Sequence, residues 1–140
     1  MNWKPISAAF LSVLSAVVYT HDASAGSCTA VARGACVIDG DTITVNRERI
    51  RIANVDAPEI SRPKCDAERR LGLVAKRRLA ELLAAGEPVI KRGDPDSGRI
   101  KDRYGRTLAT ITVNGKDVGE ALISEMLARP WGGKRRSWCE

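Results

Sequence analysis

The chain has 140 residues and a formal net charge of +6, from 23 lysines and arginines and 17 aspartates and glutamates. Its only histidine is His21. The other residues therefore provide no imidazole that could act as a general base or a metal ligand. Any catalysis there depends on carboxylates, arginines, lysines, hydroxyls or a metal bound by oxygen atoms. The basic excess suits a polyanionic partner, although a solvated basic surface gives the same composition.

Residues 1–25 have the layout of a secretory signal peptide. Lys4 supplies a positive charge, residues 6–20 form an apolar run, and small residues at 23–25 precede the expected cleavage after Ala25. The apolar run is shorter than the roughly 20 residues that cross a bilayer. We therefore expect a secreted or periplasmic protein that has no membrane attachment after cleavage. An uncleaved anchor and a lipoprotein acylated at Cys28 are the alternatives.

Residues 26–140 are long enough for one domain, which we expect to be a monomer. All four cysteines lie there, and an even number in an exported chain favours disulfides. Four cysteines allow three pairings. We prefer Cys28–Cys36 with Cys65–Cys139, because the second bridge ties the region around Cys139 to the body. No CxxC spacing occurs, which argues against a zinc or thioredoxin-like site.

In chain order, residues 30–46 predict β-structure with a bend at Gly34 and a turn at Asp39-Gly40, and residues 50–55 predict the next strand after a connection at 46–48. Residues 67–85 have apolar side chains at helical spacing. A polar loop at 93–102 separates predicted strands at 89–91 and 108–113, and Asn114-Gly115 is a tight-turn signal. A second amphipathic helix is predicted at 118–127, before a basic, irregular segment at 129–140.

This order of three strands, a helix, two strands and a helix predicts the fold class. It is typical of an α+β, mainly β protein with a five-stranded OB-type barrel and two packed helices. Barrels of this type often bind nucleic acid strands across one face.

Three charged segments lie at the ends or turns of different predicted strands. Each also has a purely structural interpretation. DGD sequences are common in turns, and Arg51, in the strand before the second segment, suits an outward-facing position. Residues 102–106 suit a surface turn with a salt bridge. A functional interpretation is that acidic oxygens hold a hard cation beside a phosphate bound by arginines. The segments are Asp39–Thr42, Asp56–Glu59 and Asp102–Arg106.

The sequence resembles the staphylococcal nuclease (thermonuclease) family. The matching stretches are VIDGDT at 37–42, IRIANVDAPE at 50–59, DRYGRTLA at 102–109 and GEALISEMLA at 119–128. The resemblance implies a calcium-dependent endonuclease that hydrolyses phosphodiester bonds in single- or double-stranded DNA, RNA or both. One alternative is a non-catalytic nucleic-acid-binding OB module, and another is a small disulfide-stapled structural or inhibitor protein.

The resemblance also implies a role for each motif residue. Asp41, Asp56 and the carbonyl of Ala57 are the expected calcium ligands, although the family often has threonine at the last position. Glu59 is the expected general base, or it positions the attacking water. The other implied roles are phosphate binding by Arg51 and Arg106, support of the ligands by Asp39 and Thr42, and substrate contacts by Arg103, Tyr104 and Trp131.

Overall fold

The computed structural model describes residues 28–31 and 34–140, so the predicted signal peptide at 1–25 lies outside these ranges. The strands within them are β1 (Thr29–Ala30), β2 (Ala35–Asp39), β3 (Thr42–Val45), β4 (Glu48–Ile52), β5 (Val55–Asp56), β6 (Pro88–Arg92), β7 (Thr107–Val113), β8 (Lys116–Asp117) and β9 (Arg129–Pro130). The helices are α1 (Asp66–Ala84) and α2 (Val118–Ser124).

The main sheet has the strand order β1-β2-β3-β4-β7-β6, with β8 added to β7. β2, β3 and β4 form an antiparallel meander, β4 pairs with β7 in parallel, and β6 pairs antiparallel with β7. This is the order of an OB-type sheet. In the described part of the chain β6 does not pair back to β2, so the sheet is a curled half-barrel. The predicted α+β, mainly β class with an OB-type sheet and two helices is confirmed.

One hydrophobic core joins the sheet to both helices. α1 packs against β2 and α2 and buries Ala75, Leu79 and Leu83, which recur every four residues along one helix face. Leu79 and Leu83 share one buried cluster with Leu122 of α2, Ile50 and other sheet residues. Burying each leucine contributes about 2 kcal/mol. The core therefore fixes α1 beside β2, whose end carries the first acidic motif.

Two turns connect the strands of the hairpins. Asn46 and Arg47 both have positive φ, at 48° and 71°, which is the geometry of a two-residue hairpin turn. The predicted connection at 46–48 is therefore one residue too long, because Glu48 already belongs to β4. The predicted tight turn at Asn114-Gly115 is confirmed, with φ of 51° and 75°.

The second helix is shorter than its apolar spacing predicts. It ends at Ser124 instead of 127, because Met126 adopts a left-handed φ of 59°. The backbone N–H of Met126 donates to the Ile123 carbonyl, and that of Leu127 donates to the Leu122 carbonyl. These two bonds close the helix as a Schellman motif, which satisfies its last carbonyls.

The sequence predicts an irregular segment at 129–140, and this prediction is wrong for its first two residues. Arg129–Pro130 forms β9, which pairs antiparallel with Val55–Asp56 of β5. Both preferred disulfides, Cys28–Cys36 and Cys65–Cys139, are formed. In residues 28–31 and 34–140, no helix combines the length and the apolar character that crossing a membrane requires.

Candidate active site

The charged motifs of the sequence meet in one cleft of about 220 Å³. The β2–β3 turn supplies Asp39 and Asp41, and the exit from β5 supplies Asp56 and Glu59. Thr107 at the start of β7 pairs with Ile50 of β4, next to Arg51, so the loop before β7 also borders this cleft. We call this the acidic cleft, and its lining includes Asp39, Asp41, Arg51, Asp56, Ala57, Glu59, Arg103, Arg106 and Trp131.

Arg51 is the counter-ion at the centre of the acidic cleft. It is 6% exposed, so the outward-facing interpretation of this strand residue is wrong. Its Nη2 lies 3.2 Å from Asp41 Oδ2 and 4.0 Å from Asp56 Oδ1, so one guanidinium group stands between the two carboxylates. Nη1 donates to the Ile52 carbonyl at 3.0 Å. A buried charge is tolerated only with such partners.

Arg106 reaches the acidic cleft from the loop before β7. Its Nε donates to Asp102 Oδ2 at 2.7 Å, and its Nη1 donates to Thr42 Oγ1 at 3.5 Å. Asp102 also accepts the backbone N–H groups of Tyr104 and Arg106. Burial opposes ionisation of Asp102, but these hydrogen bonds outweigh it and lower the pKa of that carboxyl. Asp102 therefore fixes both the loop and the direction of the guanidinium group.

Glu59 lies on a loop that the first turn of α1 holds in place. The side chain of Glu68 is buried, and it accepts the backbone N–H groups of Glu59 at 3.4 Å and Lys64 at 2.6 Å. Glu59 itself is exposed at the cleft. Its carboxylate is therefore free to meet a solvent molecule while its backbone is anchored.

Asp39 is the most unusual carboxyl group of the acidic cleft. Burial, followed by the neighbouring charge of Asp41, raises the pKa of Asp39 from 3.8 to about 7. Its Oδ1 is buried and lacks a hydrogen-bond partner among the described residues. An orphaned acidic oxygen next to further carboxylates favours a cation at this place.

The residues of the cleft fit a hard divalent cation only with help from other oxygen atoms. Asp41 Oδ1 accepts the Thr42 hydroxyl at 2.9 Å, and Asp41 Oδ2 accepts the Ala57 N–H at 3.3 Å. In the described ranges, no group of three histidine, cysteine, aspartate or glutamate side chains forms a metal site by itself. Calcium-type ions accept backbone carbonyls, water and phosphate oxygens beside a few carboxylates. The donor set therefore suits an ion whose shell is completed by solvent or substrate.

Two aromatic rings line a cavity of about 350 Å³ that adjoins the acidic cleft. Tyr104 is 68% exposed, and Arg103 lies 4.8 Å from its ring centre. Trp131 is 42% exposed and lies 4.3 Å from the guanidinium carbon of Arg51. Exposed rings beside cations are suited to stacking on flat, electron-rich groups.

Comparison with known proteins places the chain in a family. The sequence model of the staphylococcal nuclease homologue family matches residues 49–136. The chain belongs to this family. As a staphylococcal nuclease homologue it carries the motif residues on the OB-type sheet and the loops around it. The match covers the stretches at 50–59, 102–109 and 119–128, and VIDGDT at 37–42 lies before it.

Three relatives of this staphylococcal nuclease homologue have different names. The succinoglycan biosynthesis protein ExoI of Rhizobium meliloti (strain 1021) is 38% identical over 80% of this chain and 57% of its own length. Endonuclease YncB of Bacillus subtilis (strain 168) is 38% identical over 66% of this chain and 44% of its own. A thermonuclease of Staphylococcus hyicus is 34% identical over 66% and 54%. The chain spans about half the length of these relatives.

Four further residues of this staphylococcal nuclease homologue shape the site, and of these only Asp102 lies in a segment that the sequence motifs single out. Asp102 and Glu68 orient Arg106 and the Glu59 loop, and Arg135 lies 5.2 Å from the Trp131 ring. Arg129 pairs with Asp56 at 2.7 Å. Asp102 is detectable from its place four residues before Arg106. No motif marks the other three: Glu68 and Arg135 contact residues nearby in sequence, and Arg129 contacts Asp56 across 73 residues.

Proposed function

We propose that this chain is a calcium-dependent nuclease that hydrolyses phosphodiester bonds within strands of DNA, RNA or both. One observation carries the proposal: several arginines, the solvent-facing Glu59 and three aspartates share a single cleft of about 220 Å³. Phosphodiester hydrolysis without histidine needs a cation, positive groups for the phosphate and a base for water. Two of the relatives compared above are named as nucleases, which supports the same reaction class.

In this proposal Asp41, Asp56 and the Ala57 carbonyl bind calcium. The ion would supply positive charge that polarises a phosphate oxygen during the reaction. Asp39 and Thr42 support these ligands from behind, and the hydroxyl hydrogen bond from Thr42 to Asp41 orients that carboxylate. Support of this kind keeps a ligand in its binding orientation.

The protein's own groups then act on the phosphate and on water. Glu59 accepts the proton of the attacking water as the water oxygen bonds to phosphorus. The bond from phosphorus to the leaving sugar oxygen breaks, and that oxygen takes up a proton from solvent. Arg51 and Arg106 bind the scissile phosphate with directed N–H groups, whose attraction grows as negative charge develops on its oxygens. Lysine is a poor substitute for either arginine, because a single ammonium group lacks the planar pair of donors.

The proposal includes the substrate contacts and the place of action. Arg103, Tyr104 and Trp131 contact the nucleic acid next to the cleaved bond, through charge and stacking. We propose that the chain acts as a monomer outside the cytoplasm, after cleavage following Ala25. The two disulfides support this location, because such bonds persist in oxidising compartments.

The test is cleavage of end-labelled single-stranded DNA and RNA by the purified, oxidised protein, first with calcium and then with a chelator. We expect cleavage only with calcium, and a fall of about 100-fold or more in kcat for Glu59→Gln and Arg106→Lys. Arg92→Lys is the matched control, because Arg92 pairs with Glu48 outside the acidic cleft.

The other outcomes separate the alternatives. Binding that weakens with salt but gives no cleavage assigns the chain as a non-catalytic nucleic-acid-binding module. Neither binding nor cleavage leaves a structural or inhibitory role. Near-normal turnover in Glu59→Gln contradicts the assignment of the base.

A further inference from the structure

The strand after α2 brings a third arginine to the edge of the acidic cleft. In the β5–β9 pair, Arg129 stands directly opposite Asp56. Its Nε donates to Asp56 Oδ2 at 2.8 Å, and its Nη2 lies 2.7 Å from the same oxygen as an ion pair. The two side chains are 20% and 21% exposed, so solvent screens this pair less than it screens an ion pair on the open surface.

These contacts divide the two oxygens of Asp56 between two directions. Oδ2 accepts the Nε–H of Arg129 and contacts its Nη2, whereas Oδ1 faces Arg51 across 4.0 Å. Among the described residues, every hydrogen bond to the Asp56 carboxylate comes from Arg129. Asp41 differs, because a hydroxyl, a backbone N–H and Arg51 all donate to it. The orientation of Asp56 therefore depends on one side chain.

Arg129 is itself held by the segment that follows β9. Its guanidinium carbon lies 4.5 Å from the centre of the Trp138 ring, and its Nη1 donates to the Arg136 carbonyl. Cys139, which follows Trp138, forms a disulfide with Cys65, the N-cap residue of α1. A chain of contacts thus runs from the first turn of α1 through Trp138 and Arg129 to Asp56.

We infer that Arg129 is a positioning residue for the cation: it holds Oδ2 of Asp56 so that Oδ1 is presented to the acidic cleft. The inference rests on the proposed function, because it takes Asp56 as a calcium ligand. A hydrogen-bond partner behind a ligating group typically contributes 10- to 100-fold in metal affinity, roughly, through the orientation that it imposes. Trp138 and the Arg136 carbonyl fix the guanidinium plane and thereby make that orientation rigid.

The test measures calcium affinity by isothermal titration calorimetry, without nucleic acid. We expect Arg129→Gln to weaken binding about 10-fold or more. Arg129→Lys should weaken it less, since an ammonium group still donates to Oδ2 but lacks the second donor. Trp138→Ala should weaken it a few-fold, because it removes only a stacking partner. Arg78→Gln is the matched control, because Arg78 forms a comparable two-donor pair with Glu125 away from the cleft.

A second measurement uses the metal-free protein. The Arg129 Nε–H resonance should exchange with water more slowly than that of Arg103, and Asp56→Asn should abolish the difference. Thermal melts identify a variant that fails to fold, in which case Arg129→Lys and Trp138→Ala carry the comparison. An Arg129 Nε–H that exchanges as fast as that of Arg103 overturns the inference.

Calorimetry with Asp56→Asn separates this inference from the proposed function. Calcium binding that Asp56→Asn removes but Arg129→Gln leaves unchanged overturns the positioning role alone. An Arg129→Gln effect no larger than that of Arg78→Gln has the same meaning. Absence of calcium binding in the unmodified protein overturns both proposals.

Discussion

Arg51 is the residue on which the electrostatics of the acidic cleft depend. It is buried between Asp41 and Asp56, and its guanidinium group lies under the Trp131 ring. Without it the two carboxylates face each other with no cation between them in the metal-free protein. Removing one partner of a buried ion pair is costly because it leaves the other charge uncompensated.

We therefore expect Arg51→Leu to lower the free energy of unfolding by about 3 kcal/mol in the presence of a chelator. Arg106→Leu should lower it less, because the Arg106 side chain is 22% exposed and its ion pair is with a single carboxylate, that of Asp102. Urea denaturation of the two variants, followed by circular dichroism, makes the comparison. Equal losses would contradict the central role given to Arg51.

Glu48 gives the protein a stability that depends on pH. Hydrogen bonds from Arg92 and then Thr107 lower the pKa of Glu48 from 4.5 to about 2. Because the folded pKa is the lower one, this carboxylate stabilises the fold fully above pH 4.5 and loses its contribution as the pH falls towards 2. We expect the Tm difference between the protein and Glu48→Gln to shrink across that window. A difference that stays constant from pH 6 to pH 3 would refute this coupling.

At the scale of elements, α1 acts as the base on which the Glu59 loop rests. Gly72 lies in the middle of α1, and a Cβ atom there would come within 2.8 Å of both the Pro58 carbonyl and the Ile60 side chain. Only glycine at position 72 therefore allows the helix to lie this close to the loop. The position of Glu59 depends on this close packing.

Gly72→Ala tests that dependence. In an unconstrained helix the change stabilises by about 1 kcal/mol, but here the added methyl group must displace the backbone between Pro58 and Ile60. We expect a lower Tm and a lower kcat with the circular dichroism spectrum retained. An alanine variant with raised Tm and unchanged kcat would show that the loop yields freely.

The sequence predicts the elements that depend on local patterns. Alternation and helical spacing locate the five long strands and α1 to within a few residues, and Asn114-Gly115 identifies its turn. The end of α2 is not predictable from spacing, because apolar residues continue to Leu127 while Met126 turns left-handed. β9 has two residues, one of them proline, and exists only because β5 is there to pair with it.

The same distinction applies to the candidate site. Contiguous motifs locate Asp41, Arg51 and Arg106, which line one cleft. Their roles in catalysis and calcium binding stay predictions. The supporting role of Arg129 cannot be identified from a single sequence, because its partner Asp56 lies 73 residues away. Only the folded chain reveals such pairs.

At the scale of the whole molecule, the two disulfides stabilise the fold to different degrees. Cys65–Cys139 closes a separation of 74 residues and Cys28–Cys36 one of 8. In the chain-entropy description these loops correspond to about 4.5 and about 2.5 kcal/mol. We expect Cys65→Ser/Cys139→Ser to lose more Tm than Cys28→Ser/Cys36→Ser. Differential scanning calorimetry checks the ranking, and the reverse order would show that strain or residual structure outweighs loop closure.

The antiparallel pairing of β5 with β9 also sets an order of assembly. Contacts between residues far apart in sequence form late, because the intervening polypeptide must first become ordered. Asp41 and Arg51 are 10 residues apart, whereas Arg129 is 73 residues from Asp56. We therefore expect the pocket to stay open on one side until β9 docks on β5. Completion of this edge is then one of the last steps of folding that we expect.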